Sequence, residues 1–144
     1  MKEKYLKPFV IAEIGNNHEG NFSIAKKLIY AASKTGVDAV KFQTFDVNNF
    51  LNEDHKRFKF YKKCQLSKNQ FIELSLITKK LGMKFISTPL DFKSAEYLSK
   101  IVDIFKIASG DNNFKILIEK VLSFKKKTLI STGLMNFDEI KRLK

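Results

Sequence analysis

The sequence predicts an α/β domain built on a parallel sheet. Three observations carry this: five short apolar or β-rich runs, helical spacing in the segments between them, and glycines at the junctions. The first run, FVIAEI at 9–14, ends at Gly15. In the segment after it, Ile24, Leu28, Ile29 and Ala32 fall on one helical face, and Gly36 is placed to close that helix. The second run, AVKFQTF, covers 39–45. The stretch 46–66, DVNNFLNEDHKRFKFYKKCQL, has no clean period and is dense in charge and aromatics. It reads either as a functional insertion or lid, or as a short extra helix over Phe58, Phe60 and Tyr61. Ser67 is then placed to cap a second long helix whose Phe71, Leu74, Ile77 and Leu81 share a face, with Gly82 at its end. The runs KFIST at 84–88, IFKIA at 104–108 and TLIST at 128–132 supply the remaining strands, and MNFDEIKRLK opens a last helix. Gly15, Gly20, Gly110 and Gly133 follow strands, where they are expected to let the backbone turn and approach a ligand. Repeated βα units with short connections imply right-handed crossovers.

Length and composition bound the function. The chain has 144 residues, 44% hydrophobic and 29% charged, which suits one folded domain and excludes disorder as its main state. A closed eight-stranded β/α barrel takes at least about 200 residues, so any barrel reading is a reading of part of one. There are 27 Lys+Arg against 15 Asp+Glu, a net charge of +12, yet only Arg57 and Arg142 are arginines. Readers of bases lean on the planar arginine fork, so the lysine-dominated charge argues against specific nucleic-acid recognition and leaves non-specific anion attraction. Cys64 is the single cysteine, so no internal disulfide forms, and no Cys/His spacing matches a zinc site. The N-terminal apolar run is interrupted at Glu13, too soon for a signal sequence, and nothing approaches a membrane span. The expectation is a cytoplasmic protein without a membrane partner.

In parallel βα architectures ligands bind beyond the carboxyl ends of the strands, so those ends are where chemistry is sought. The first ends in Glu13 and the turn GNNHEG; the second carries Lys41 and Gln43 on one face; the third ends at Ser87, Thr88 and Pro89. The fourth carries Lys106 with Ser109, Gly110 and Asp111, and the fifth ends in Ser131, Thr132 and Gly133. Lys41 and Lys106 stand among apolar neighbours, and an ammonium there requires a partner. That partner is either an acid such as Glu13 or an anionic ligand. Ser131, Thr132 and Gly133 read either as a helix cap or as a phosphate site. His18 is expected to stabilise its turn rather than bind metal, because nothing with metal-ligand spacing accompanies it.

The phrases AEIGNNHEGN, VKFQTF, FISTPLD, FKIASGDNNF and LISTGL, in this order at successive βα positions, resemble the N-terminal part of the sialic acid synthase family. The resemblance runs from residue 9 to about residue 144. It implies a partial (β/α)8 TIM barrel, about the first five βα units, with the rest of the barrel and an antifreeze-like domain absent from residues 1–144. Family members condense phosphoenolpyruvate with an N-acetylated amino sugar to a nine-carbon 2-keto acid, a C–C bond-forming transfer that uses a divalent metal, Mn or Mg. The full-length members are expected to be homodimers. Carried over by residue, Lys41, Thr88, Lys106, Ser109 and Ser131 would contact the carboxylate or phosphate of phosphoenolpyruvate, and Glu13 and Gln43 would lie beside the acceptor sugar. Asp111 stands where some members have Glu. The family's metal-binding histidines lie beyond residue 144, and neither His18 nor His55 replaces them. The chain is therefore expected to be truncated and inactive alone. The alternatives are a non-catalytic anion-binding α/β fragment and a basic nucleic-acid-binding protein.

Overall fold

The computed structural model describes residues 7–142; the charged start of the chain and its last two residues lie outside them. Among the described residues, five strands form one parallel sheet in the order β1-β2-β3-β4-β5: β1 (Ile11–Gly15), β2 (Ala39–Thr44), β3 (Lys84–Pro89), β4 (Ile104–Ile107) and β5 (Thr128–Ile130). Strand order equal to chain order means that each crossover packs beside the last. The crossovers carry α1 (Phe22–Ser33), α4 (Lys68–Lys80), α5 (Phe92–Leu98) and α6 (Lys115–Ser123). The β2–β3 connection also holds α2 (Val47–Phe50) and α3 (Phe58–Cys64), and α7 (Phe137–Lys141) follows β5.

Alternation along the strands sends successive side chains to opposite faces. One face carries Ile14, Val40, Phe42, Phe85, Phe105 and Ile107, which join Ala25, Ile29, Phe71, Leu74, Ala95, Leu98, Leu117 and Val121 from the helices in one core. Phe42 sits at its centre, with ring centroids 6.1 Å from Phe71 and 5.6 Å from Phe85. Each such ring removed from water contributes about 1.5–3 kcal/mol. On the opposite face Ala39, Ile86 and Ile104, flanked by Ile11 and Leu129, form a second cluster to which no helix residue belongs.

The ends of the elements follow from local chemistry. Ser67 caps α4 through a reciprocal box with Gln70, as the sequence predicts. Gly36 and Gly82 follow their helices with φ of +76° and +79°. Two expectations are corrected, and one of two alternatives for a third segment falls away. Strand β1 starts at Ile11 rather than at residue 9, because Phe9 and Val10 are exposed and the Val10 amide is taken by the Asp38 carboxylate at 2.7 Å. On α1 the buried stripe runs through Ala25, Ile29 and Ala32, and Ile24 is exposed, one position off the predicted face. Ser131, Thr132 and Gly133 do not cap a helix, since α7 is capped by Asn136.

The 46–66 stretch folds as two short helices, with Phe58 and Cys64 buried against Phe45 and Val47, and Tyr61 edge-on to Phe45 and Phe50 at 5.3 Å. Phe60, placed on the helix by sequence, is exposed. Buried Asp91, just after β3, takes the Asp46 amide at 2.8 Å while capping α5 and so fastens the insertion to the sheet, and exposed Gln65 takes the Val47 amide at 2.9 Å, tying the two ends of the insertion together.

Candidate functional site

The strand registers put Glu13 beside Lys41, and Gln43 beside Thr88. By the period of two, Glu13, Lys41, Gln43, Thr88, Lys106 and Ser131 all leave the sheet on the face opposite the helices, above the floor of Ala39, Ile86 and Ile104. Gln43, Thr88, Lys106 and Ser131 stand toward the carboxyl ends of their strands, while Glu13 and Lys41 stand mid-strand, level with Ile86. The polar groups thus stand on an apolar floor that the helices do not reach.

Their electrostatics differ. Lys41 is an ion-pair partner of Glu13, its side chain 19% exposed, so one of the two sequence alternatives for this lysine, an internal acid, is realised. Lys106 has no acid in contact. Its ammonium donates to the Ser131 hydroxyl at 2.5 Å and to the Ile107 carbonyl. Burial and the positive charge of Lys41 hold its pKa below the usual lysine value, against the opposing pull of Glu13. The pair therefore carries excess positive charge on a half-dry surface, the condition that attracts an anion.

Loops after β4 and β5 complete the cluster. Gly133 lies so close to Ser109 that an added Cβ would stand 3.2 Å from the serine Cβ, which brings the two loops together. Asn112, buried behind them, donates to the carbonyls of Ser131 at 3.3 Å and Gly133 at 2.7 Å, and so fixes the turn that aims Ser131 at Lys106. Asp111 stands in the short 3-10 turn Ser109–Asp111, where burial raises its pKa above the usual carboxylate value. The sequence reading assigned Asn112 nothing; its place in the phrase ASGDNN was the available signal, but only the fold shows whose carbonyls it reaches. Asn16 was missed in the same way, and donates to Gln43 Oε1 at 2.6 Å.

The first loop is organised by His18, which is 1% exposed and accepts the Gly20 amide on Nδ1 at 3.1 Å. This is the turn-stabilising part expected of it. Among the described residues no group of three or more His, Cys, Asp or Glu is placed to hold a metal, and no helix is long and apolar enough to cross a membrane. Two recesses, each about 600 Å³, lie beside His18 and between α6 and the β5–α7 segment, and neither is lined by Lys41 or Lys106.

Known proteins resemble this arrangement over nearly all of its length. The chain is 43% identical over 133 residues to an uncharacterised protein of Methanocaldococcus jannaschii, covering 92% of this chain and 40% of that one. It is 35% identical over 149 residues to an N,N'-diacetyllegionaminic acid synthase of Campylobacter jejuni, covering 93% and 45%. Among solved structures, an N-acetylneuraminic acid synthetase from Leptospira borgpetersenii superposes with a TM-score of 0.87 at 30% identity, over 93% of this chain and 47% of that one. A 3-deoxy-D-arabino-heptulosonate 7-phosphate synthase from Thermotoga maritima, at 18% identity and a TM-score of 0.67, shares the fold. The chain spans less than half the length of these relatives. The profile of the NeuB family matches residues 28–143, a span that contains every strand lysine of the site and the loops that complete it. With five parallel strands in chain order and that match across them, the chain belongs to the NeuB family.

Proposed function

We propose that this chain forms the first five βα units of a (β/α)8 barrel and provides the phosphoenolpyruvate half of a synthase site. The completed enzyme would join phosphoenolpyruvate to an N-acetylated amino sugar, giving a nine-carbon 2-keto acid of the sialic type and phosphate. The remaining barrel strands, an antifreeze-like domain and a homodimeric assembly would belong to the complete cytoplasmic protein. The observation that carries this reading is the placing of Lys41 and Lys106 on one face of the sheet, near enough for the charge of Lys41 to lower the pKa of Lys106, with the Ser131 hydroxyl on Lys106.

In this reading C3 of phosphoenolpyruvate attacks the aldehyde carbon of the open-chain sugar, water adds at C2, and the tetrahedral intermediate expels phosphate. Lys41, Lys106, Thr88, Ser109 and Ser131 neutralise and hold the trianionic donor, which both concentrates it and fixes the direction of C3. Lys41 exchanges the Glu13 carboxylate for a donor oxygen, and Glu13 and Gln43 then face the acceptor. Asp111, whose carboxyl retains its proton more readily than usual, stands beside the donor. A divalent metal suits the family, but the described residues hold no set of ligands for one, and no step here is routed through it.

The test is protection of Lys106 from acylation. A lysine with a lowered pKa presents more neutral amine, so Lys106 should acylate faster than exposed lysines of equal access, read by mass spectrometry of peptides. Phosphoenolpyruvate at saturating concentration should slow it several-fold while leaving Lys125 and Lys127 unchanged. Protection by nucleic acid at physiological salt and none by phosphoenolpyruvate would overturn the reading.

A further inference from the structure

We propose that Lys106 is a Schiff-base nucleophile, whose Nζ condenses with the ketone carbon of a 2-keto acid while Lys41 receives the acid's carboxylate. The place of the carboxylate rests on the reading of Lys41 as a donor-binding residue; the amine chemistry rests on the surroundings of Lys106 alone. Its Nζ donates to the Ser131 hydroxyl at 2.5 Å and to the Ile107 carbonyl, and among the described residues no carboxylate contacts it. An ammonium carries three N–H bonds and a neutral amine two. The two acceptors satisfy both hydrogens of the amine, so losing the third proton costs Lys106 no hydrogen bond. A lone pair then occupies the tetrahedral position that faces away from both acceptors. Burial and the nearby charge of Lys41 favour that loss, as they do in lysines that form Schiff bases beside a second cation. Lys41 is occupied differently: its ammonium is ion-paired with Glu13, and it offers a charge rather than a nucleophile.

The spacing of the two lysines suits a short acid. Through Ile86, Lys41 is level with Ile104, and Lys106 stands two residues further along β4. With one strand between them, their backbones lie about 10 Å apart across the sheet and about 7 Å along it, within the reach of two lysine side chains and a three-carbon acid between them. In the condensation the Nζ lone pair forms an N–C bond to the ketone carbon, and the carbonyl π pair moves to its oxygen. One nitrogen proton passes to that oxygen, giving a carbinolamine. The second leaves with the hydroxyl as water, and the nitrogen pair closes the C=N bond, so no oxidant, reductant or further reactant takes part. The Ser131 hydroxyl, in contact with Nζ, both accepts and donates and can carry these protons. Phosphoenolpyruvate has a phosphate ester at C2 in place of a ketone and forms no imine. A 2-keto acid, the product class of the proposed reaction, therefore competes with it by holding Lys106 covalently and reversibly.

The test is reductive trapping. The full chain is incubated at neutral pH with pyruvate and sodium cyanoborohydride, which reduces an imine in preference to a ketone and fixes the pyruvate carbons on nitrogen. Peptide mass spectrometry reads labelling at Lys106 relative to the exposed Lys125 and Lys127, and acetone, a ketone without a carboxylate, is the comparison. The expected result is a several-fold excess of label at Lys106 with pyruvate, several-fold larger than the excess with acetone and lost in urea. Lys41→Gln should reduce the pyruvate excess to that of acetone; the wild-type comparison of the two ketones carries the test if this variant does not fold. Labelling spread evenly over the lysines, or an excess no larger with pyruvate than with acetone, overturns the inference. Phosphoenolpyruvate separates it from the synthase reading. If Lys106 traps pyruvate selectively and phosphoenolpyruvate does not slow the trapping, the reading of the donor site fails and the nucleophile stands. If phosphoenolpyruvate protects Lys106 from acylation but pyruvate is not trapped there, the nucleophile fails and the reading stands.

Discussion

His18 shows how one side chain ties the first loop to pH. It is 1% exposed, its Nδ1 accepts the Gly20 amide, and its Nε2 is buried without a partner. Protonation would place a proton on the nitrogen that now accepts, breaking that bond and leaving an unpaired charge in the core. Burial accordingly holds its pKa below the ordinary value of 6.5. In the unfolded chain the imidazole takes up its proton near the ordinary value, so below about pH 6.5 the unfolded state binds more protons and the fold loses stability as pH falls. Above that value the contribution is fully present. His18→Asn retains a short acceptor for the Gly20 amide and does not titrate; its melting temperature should change less than that of the wild type between pH 7.5 and 5.5. Equal slopes for the two proteins would remove His18 as the origin of the acid sensitivity. At this scale the sequence was readable in residue type and strand parity, which put Glu13, Lys41, Gln43, Lys106 and Ser131 on one face of the sheet. It named Glu13 as one possible partner of Lys41 and left the choice open, because which acid reaches which lysine depends on the register between β1 and β2.

Between elements, the insertion after β2 is clamped to the loop after β1 at Gly20. A Cβ built there would lie 1.8 Å from the Lys63 carbonyl oxygen at the end of α3, and the residue has φ +79°. The Lys63–Glu19 ion pair at 3.1 Å bridges the same junction but is exposed, so the close backbone approach is the stronger constraint. Gly36 separates the two causes: it has φ +76° and nothing within 4 Å of an added Cβ. Gly36→Ala should therefore cost about 1 kcal/mol, the backbone strain alone. Gly20→Ala should cost more than about 2 kcal/mol, because Lys63 backbone must also move. Urea denaturation of both variants checks the difference, and equal costs would mean that the α3 contact yields freely. This clamp explains why the 46–66 stretch resisted sequence reading. Of its apolar residues only Leu66 joins the main core; Phe58, Tyr61 and Cys64 pack on a separate, smaller cluster with Phe45 and Val47, so period alone has nothing to follow. The other helices were legible because each packs one stripe on the sheet, although on α1 that stripe runs through Ala25 rather than the exposed Ile24.

For the whole molecule the two faces of the sheet have unequal fates. The helix face closes into one continuous core from Ile14 to Val121, which is enough to expect a folded chain rather than a collapsed one. The site face does not close: its floor is buried at Ala39, Ile86 and Ile104 but only half-buried at Ile11 and Leu129, on the outermost strands. Among the described residues β1 pairs only with β2 and β5 only with β4, so both strands present unpaired backbone groups, and such edges template pairing with other chains. Leu134 and Phe137, 89% and 82% exposed, add apolar surface next to the β5 edge. The net charge of +12 opposes association through repulsion that salt screens, with a Debye length of about 10 Å at 0.1 M and about 3 Å at 1 M. The 144-residue chain expressed alone should therefore associate, and associate more as salt rises, while retaining helix and sheet signals in circular dichroism. It should release no phosphate from phosphoenolpyruvate with N-acetylmannosamine and Mn²⁺, since the residues that would activate the aldehyde are not among those described. Sedimentation velocity across salt concentrations, paired with a phosphate-release assay, measures both. A monodisperse monomer at high salt would show that the edges are protected in a way the sheet order does not provide, and robust turnover by that monomer would place the whole reaction on the face that carries Lys41 and Lys106.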